Sequence, residues 1–190
     1  MEIRNSNQKV FRAQDNLLMI AMFSVIMLFA GLTSAYIVSK AALASKWDII
    51  QLSIMFYIST ALIIISSVFA HFALKQCKLD NIKMTSRYLL LAIISGLLFF
   101  AFQFLGWRSM VLESKFLSGN NVSASYIYVL TITHFLHVVG GLISLVIIYF
   151  NSKNKKYNKL NFQGLKLGVR FWHFLGFVWI YLFLFLTLIN

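Results

Sequence analysis

Polar and apolar positions do not alternate along this chain of 190 residues; they come in blocks. Five apolar runs, approximately Leu17–Ser39, Ile49–Leu74, Tyr88–Trp107, Tyr126–Phe150 and Phe171–Ile189, are separated by short polar connections. Each run has about 19 to 26 residues, enough for a helix rising about 1.5 Å per residue to cross a hydrocarbon core about 30 Å thick. None shows the two-residue period of a membrane-barrel strand, and in lipid only helices or closed barrels satisfy the backbone. The pattern predicts an all-α polytopic membrane protein, with residues 1–190 forming one domain that is a five-transmembrane-helix bundle.

Composition sharpens this. With 60% hydrophobic and only 12% charged residues, the chain falls far below the roughly 25% charged residues of a soluble domain. The net charge of +12 sits in the termini and connections, without a basic stripe interleaved with aromatics. It therefore reads as a topology signal and a contact for anionic lipid, with no nucleic acid partner. All of the 17 Lys and Arg except Lys40, Lys46, Arg108 and Lys115 lie in the N-terminal tail and the second and fourth connections. That bias predicts the N-terminus inside and Asn190 outside.

Residues 1–16 are polar, and the run from Leu17 exceeds the roughly 7–15 apolar residues of a signal peptide, so none is expected. Proline is absent, which predicts helices without proline kinks. The single Cys77, in a lysine-bearing connection, reads as a free structural thiol. Gly31 with Ala35, and Gly140 with Ser144, have the four-residue spacing that lets membrane helices approach closely. Residues 119–121 read as a turn.

Candidate chemistry rests on four histidines. His134 and His137, three apart on one helix face, lie near mid-membrane, whereas His71 and His173 lie near the inner ends of their spans. Such groups are expensive in lipid and need hydrogen-bond partners; Gln103, Tyr126, Tyr128, Thr131 and Thr133 are candidates. One reading is metal or haem ligation, with His71 and His173 at matching depth. Against it, no carboxylate lies in any apolar run: Glu2, Asp15, Asp48, Asp80 and Glu113 are in termini or connections. The same absence weighs against an ion transporter, and no nucleophile elbow or His-Glu-x-x-His motif supports hydrolysis. The reading that competes is structural, with the histidines, Gln103 and the tryptophans bracing helix contacts or lining a lipid-filled groove. Tyr36, Trp47 and Trp107 read as an interfacial aromatic belt. Trp172, near the inner boundary, is a belt residue or a headgroup contact.

Taken in order, Gln103-Phe104-Leu105-Gly106-Trp107, the stretch Tyr128–Gly141 with its His-x-x-His-Val-x-x-Gly core, and Trp172-His173-Phe174 followed by Val178-Trp179 form a specific series. With Ser59-Thr60 and Ser66-Ser67 on the second span, the chain resembles subunit III of the haem–copper oxidases, in a short five-helix form of a family that often has seven helices. One position departs: where the family has Ser-Glu-x-x-x-Phe, this chain reads Ser24-Val25-Ile26-Met27-Leu28-Phe29, so the intramembrane acid is replaced by Val25.

The resemblance implies an accessory subunit without redox cofactors of its own, the haem and copper residing in partner subunits. It implies packing on catalytic subunit I alongside subunit II, binding of structural phospholipids, and support of proton uptake and active-site longevity. The complex would oxidise cytochrome c, reduce dioxygen to water and pump protons in a bacterial cytoplasmic (inner) membrane or its mitochondrial equivalent, alone or within a larger respiratory supercomplex. Gln103, Trp107, His134, His137, Trp172, His173 and His71 are then lipid-cleft or helix-packing candidates. A subunit III-like partner of a quinol oxidase or nitric-oxide reductase shares the pattern, and a haem-bearing membrane anchor is the alternative of a different class.

Overall fold

The computed structural model describes residues 2–43, 47–115, 117, 122–154, 156–157 and 161–189, with side chains from Phe11 onward. Lys46, Lys155, Lys159 and the turn expected at 119–121 lie outside the described residues. Five helices form in chain order: α1 (Glu2–Ala42), α2 (Ile54–Lys78), α3 (Ile82–Leu112), α4 (Val122–Lys153) and α5 (Gln163–Leu188). Each is long and apolar enough to cross a membrane.

The helices outrun the apolar blocks that predict them. α1 is 41 residues long because nothing between Glu2 and Asn16, neither proline nor glycine, interrupts it. The expectation fails at the start of the second span. Ile49–Ser53 are not helical, and α2 begins at Ile54, where the Ser53 hydroxyl accepts from the Met55 N–H (3.5 Å). The stretch before it is tied down instead: Ile50 is buried, and Ser123 Oγ donates to the Asp48 carbonyl (2.7 Å). Between α2 and α3 the chain reverses through Asp80 at φ 61°, a left-handed conformation that Asp tolerates better than most side chains. Asn81 caps α3, its side chain accepting from the Met84 N–H (3.2 Å).

Contacts fix the relative directions. Bonds of α2 to α3 pair Ser66 with Ala92 and Ser59 with Gln103, so residue numbers rise on one helix as they fall on the other. The same inverse order relates α3 to α4 (Ser86–Ser152 and Trp107–Thr131) and α2 to α5 (Ser66–Trp172 and Thr60–Trp179). α1 and α5 instead run parallel: Asp15 meets Arg170, Thr33 meets Tyr181 and Lys40 reaches the Ile189 carbonyl. α2, α3, α4 and α5 therefore form the core, with α1 laid along α5 and α4.

Three sequence expectations change here. Close approach occurs at Gly96, Gly106, Gly141 and Gly168, not at the predicted glycines Gly31 and Gly140. A Cβ on Gly106 would lie 2.8 Å from the Phe56 ring, and one on Gly96 would lie 3.1 Å from Trp172. Gly31 and Gly140 face open space, with nothing within 4 Å of such a Cβ. Ser144 does lie at a seam, its Oγ 3.3 Å from where a Cβ on Gly168 would sit, while the two glycines point at no neighbour. Cys77 belongs to the last turn of α2, not to a connection, and is buried. Tyr36 leaves the belt reading: it is fully buried, its ring edge-on to Trp47, Tyr126 and Phe185.

Candidate functional site

The hydroxyls of α2 organise the interior. Ser59-Thr60 and Ser66-Ser67 are two pairs seven residues apart, so they recur on one helix face after two turns. Each hydroxyl meets a polar group from another helix. Gln103 Nε2 of α3 donates to Ser59 Oγ (2.9 Å). Trp179 Nε1 and Trp172 Nε1 of α5, themselves seven apart, donate to Thr60 Oγ1 (2.9 Å) and Ser66 Oγ (3.1 Å). Ser67 Oγ bonds His173 Nδ1. The hydroxyls pass the bond on: Ser66 donates to the Ala92 carbonyl (2.7 Å), and Thr60 to the Phe56 carbonyl (2.7 Å). Lipid offers no water to compensate an unmet donor, so this ladder fixes the rotation of α3 and α5 against α2.

Trp107 belongs to a second seam. Its Nε1 donates to Thr131 Oγ1 (3.0 Å), which in turn donates to the Ile127 carbonyl (2.7 Å). Beside it, Tyr128 donates to the Lys115 carbonyl (3.0 Å). Trp172 is fully buried, so the headgroup contact considered for it gives way to bracing.

The two mid-membrane histidines differ. His134 is completely buried, stacked on Trp179 at 5.3 Å and edge-on to Phe29 at 5.9 Å. Neither of its ring nitrogens has a hydrogen-bond partner among the described residues. His137 is half-buried; its Nδ1–H donates to the Thr133 carbonyl one turn back (2.7 Å). Phe29 bridges the two, 5.8 Å from His137. The partners considered from sequence are engaged elsewhere: Gln103 with Ser59, Tyr126 with Ser39, Thr131 with Trp107 and Tyr128 with backbone carbonyls. Val25, one turn before Phe29 on α1, is buried.

His71 and His173 do come together, ring centroids 6.1 Å apart, beside a groove of about 380 Å³ between α2 and α5. Among the described residues no group of three or more His, Cys, Asp or Glu side chains converges on a point. The seven candidates thus divide into two buried braces (Gln103 and Trp172), the partly buried brace Trp107, the buried His134 whose ring only stacks, a half-buried His137, and a groove pair, His71 and His173. Sequence reasoning missed two ties of α1, Asp15 with Arg170 and Lys40 with the Ile189 carbonyl. Only the helix order could have paired those groups.

Compared with known proteins, the sequence matches the family described as cytochrome c oxidase subunit III over residues 5–189. The chain belongs to that family. The probable cytochrome c oxidase subunit 3 of Nocardia farcinica is 28% identical over 163 residues, 84% of this chain and 80% of that protein. The cytochrome c oxidase subunit 3 of Thermostichus vulcanus is 26% identical over 177 residues, 91% of this chain and 86% of its own length. The cytochrome bo(3) ubiquinol oxidase subunit 3 of Buchnera aphidicola is 30% identical over 132 residues, 69% of this chain and 63% of that protein. This is a multi-pass membrane subunit III of a haem–copper oxidase, and its indoles, hydroxyls and amide are hydrogen-bonded between helices.

Proposed function

We propose that the chain is the accessory, non-redox subunit of a cytochrome c oxidase. In this reading it packs on catalytic subunit I beside subunit II, holds phospholipid at that boundary, and supports proton uptake and the lifetime of the active site. Residues 1–190 act as one transmembrane domain, N-terminus inside and C-terminus outside a bacterial cytoplasmic membrane or a mitochondrial inner membrane. Haem and copper belong to the partner subunits.

The observation that carries the reading is the family match along residues 5–189. The interior adds chemical support, because its polar side chains are bonded to one another in a packing ladder. Basic residues on the N-terminal side of the bundle suit the positive-inside orientation. The ubiquinol oxidase relative favours one further reading, a quinol-oxidising complex with the same accessory role.

The deciding experiment is affinity purification of the chain in mild detergent. Co-purifying proteins are identified, and redox spectra are recorded before and after the chain is separated. A catalytic oxidase subunit in the preparation, with haem absorbance lost from the separated chain, is the expected result. A copper-binding second subunit among the partners assigns cytochrome c as donor, and its absence assigns quinol. Haem that stays with the isolated chain and disappears in His71→Ala or His173→Ala overturns the accessory reading.

A further inference from the structure

The hydrogen-bonded ladder leaves two buried side chains unmet on neighbouring helices. Gln103 of α3 spends its Nε2 on Ser59 Oγ (2.9 Å), but its Oε1 has no hydrogen-bond partner among the described residues. Neither ring nitrogen of His134 on α4 has one either. The two residues are 1% and 0% exposed, so neither can turn to a headgroup or to bulk water. Their needs are complementary. An amide oxygen only accepts, whereas a neutral imidazole carries one N–H to donate.

The α3–α4 register brings them to one level. Gln103 precedes Trp107 by four residues on α3, and His134 follows Thr131 by three on α4, spacings that keep each pair on one helix face. The helices are antiparallel and joined by the Trp107–Thr131 bond. Gln103 and His134 therefore lie on the same side of that bond, about 6 Å and about 4.5 Å along the helix axes at about 1.5 Å per residue. The Trp179 indole touches both surroundings: it stacks on His134 at 5.3 Å and meets Phe99, one turn before Gln103, edge-on at 5.4 Å. The hydrogens of the flanking hydroxyls and indoles are already committed. Ser59 and Thr60 donate to the Phe56 carbonyl (2.9 and 2.7 Å), Thr131 to the Ile127 carbonyl (2.7 Å), Trp107 to Thr131 and Trp179 to Thr60.

We infer that this level of the bundle binds one internal water molecule, which accepts from the His134 N–H and donates to Gln103 Oε1. A buried polar group left unmet loses its full solvation, and a membrane interior offers no bulk water to restore it. Internal waters sit where two to four polar groups converge that the protein itself does not pair, and the amide oxygen and the imidazole supply two from different helices. The water joins two sets of contacts that the side chains leave separate. On one side is the ladder of α2 with α3 and α5, which ends at Gln103. On the other is His134 with Phe29 of α1, ring centroids 5.9 Å apart. The site is interior, and it rests on none of the partner assignments proposed above.

The test is a cryo-electron microscopy map of the chain purified in mild detergent with the subunits that accompany it, at a resolution that shows ordered water elsewhere in the spans. Expected is one density peak within about 3.2 Å of both Gln103 Oε1 and a His134 ring nitrogen. An amide and imidazole in direct contact, or the same space without a peak, overturns the inference. A second measurement reads the coupling. His134→Phe keeps an aromatic ring against Trp179 and deletes both nitrogens, and Gln103→Leu deletes the amide oxygen. Each should lower the thermal unfolding midpoint, and the double variant should fall by less than the two shifts together, because either deletion releases the same water. Full additivity would mean that the two groups share no ligand, and would overturn the site. Where a variant fails to fold, the map of the unsubstituted protein decides.

Discussion

α1 and α5 both cross the membrane, run parallel and touch along their length, yet they are held in opposite ways. In its most apolar window α5 has 44% of its residues buried and α1 only 17%. α5 is locked by shape, with Gly141 and Gly168 at its seam with α4 and the indoles of Trp172 and Trp179 inserted toward α2. α1 is held at a few points: Asp15 with Arg170, Phe29 against two histidines, Thr33 with Tyr181, Ser39 with Tyr126 and Lys40 with the Ile189 carbonyl. Water would forbid this, since a helix so apolar could not stay uncovered. Lipid tails are as apolar as leucine, so an exposed Leu17 or Met27 costs nothing there, and helix position is decided by packing and hydrogen bonds. The membrane allows a rigid core and a loosely attached helix in one chain.

The comparison breaks most visibly at glycine. Gly141→Leu places its Cβ against Leu175 and 3.2 Å from Trp172. Such overpacking costs about 1–3 kcal/mol, and the thermal unfolding midpoint of the chain in detergent should fall. Gly31→Leu on α1, with nothing within 4 Å, should leave that midpoint unchanged. Equal losses for the two would mean that the core and α1 are not held differently.

A smaller effect tests the ladder. Ser66→Ala removes the acceptor of Trp172 Nε1 and the donor to the Ala92 carbonyl. A membrane hydrogen bond is worth about 0.6 kcal/mol on average and about 1.7 at most, so a loss of about 1 kcal/mol in unfolding free energy is expected. Trp172→Phe should be partly non-additive with it, because both variants delete the same bond. Full additivity would remove the coupling claimed for the ladder.

How far the sequence foretold this division depends on what each residue reports. Block hydropathy finds five spans because spanning is a property of one helix. The two hydroxyl pairs on α2 were visible for the same reason, since a seven-residue spacing is written on the helix that carries them. What faces what is not written there. Gly31 and Gly140 carry the spacing of a close contact and meet nothing, whereas Gly141, next along, is a tight seam. Trp172 looked interfacial from its distance to the basic loop, yet its rotation turns it inward onto Ser66. His71 and His173 were matched by depth, which is additive along each helix, and the structure places their rings 6.1 Å apart. His134 and His137, adjacent in the motif, end in unlike surroundings because three residues turn a helix by less than a full circle.

On the α1 side the expected effects shrink. Tyr181→Phe deletes the bond to Thr33 Oγ1 (3.1 Å), but Thr33 keeps its donation to the Phe29 carbonyl (2.8 Å). The loss should stay below about 0.6 kcal/mol, the mean for such bonds in membranes. Cysteine cross-linking between α1 and α5 reports it as faster exchange at that level of the helix, with the α2–α5 seam unaffected. A loss as large as that of Ser66→Ala would show that α1 is part of the rigid core after all.

The smallest effect belongs to the Asp15–Arg170 pair. The two side chains are about a third exposed, 32% and 36%, so solvent and salt screen them, and pairs of this kind contribute about 0–1 kcal/mol. Arg170→Gln should therefore leave unfolding of the core unchanged while loosening the start of α1, read as faster hydrogen exchange between Phe11 and Leu18. The wild-type chain should approach the variant's exchange as salt rises, because the Debye length contracts from about 10 Å at 0.1 M to about 3 Å at 1 M. If salt moved the α2–α5 seam by the same amount, the pair would be acting on the whole bundle. If exchange on α1 ignored both salt and substitution, the helix would be fixed by its contacts at Phe29, Thr33 and Ser39 alone.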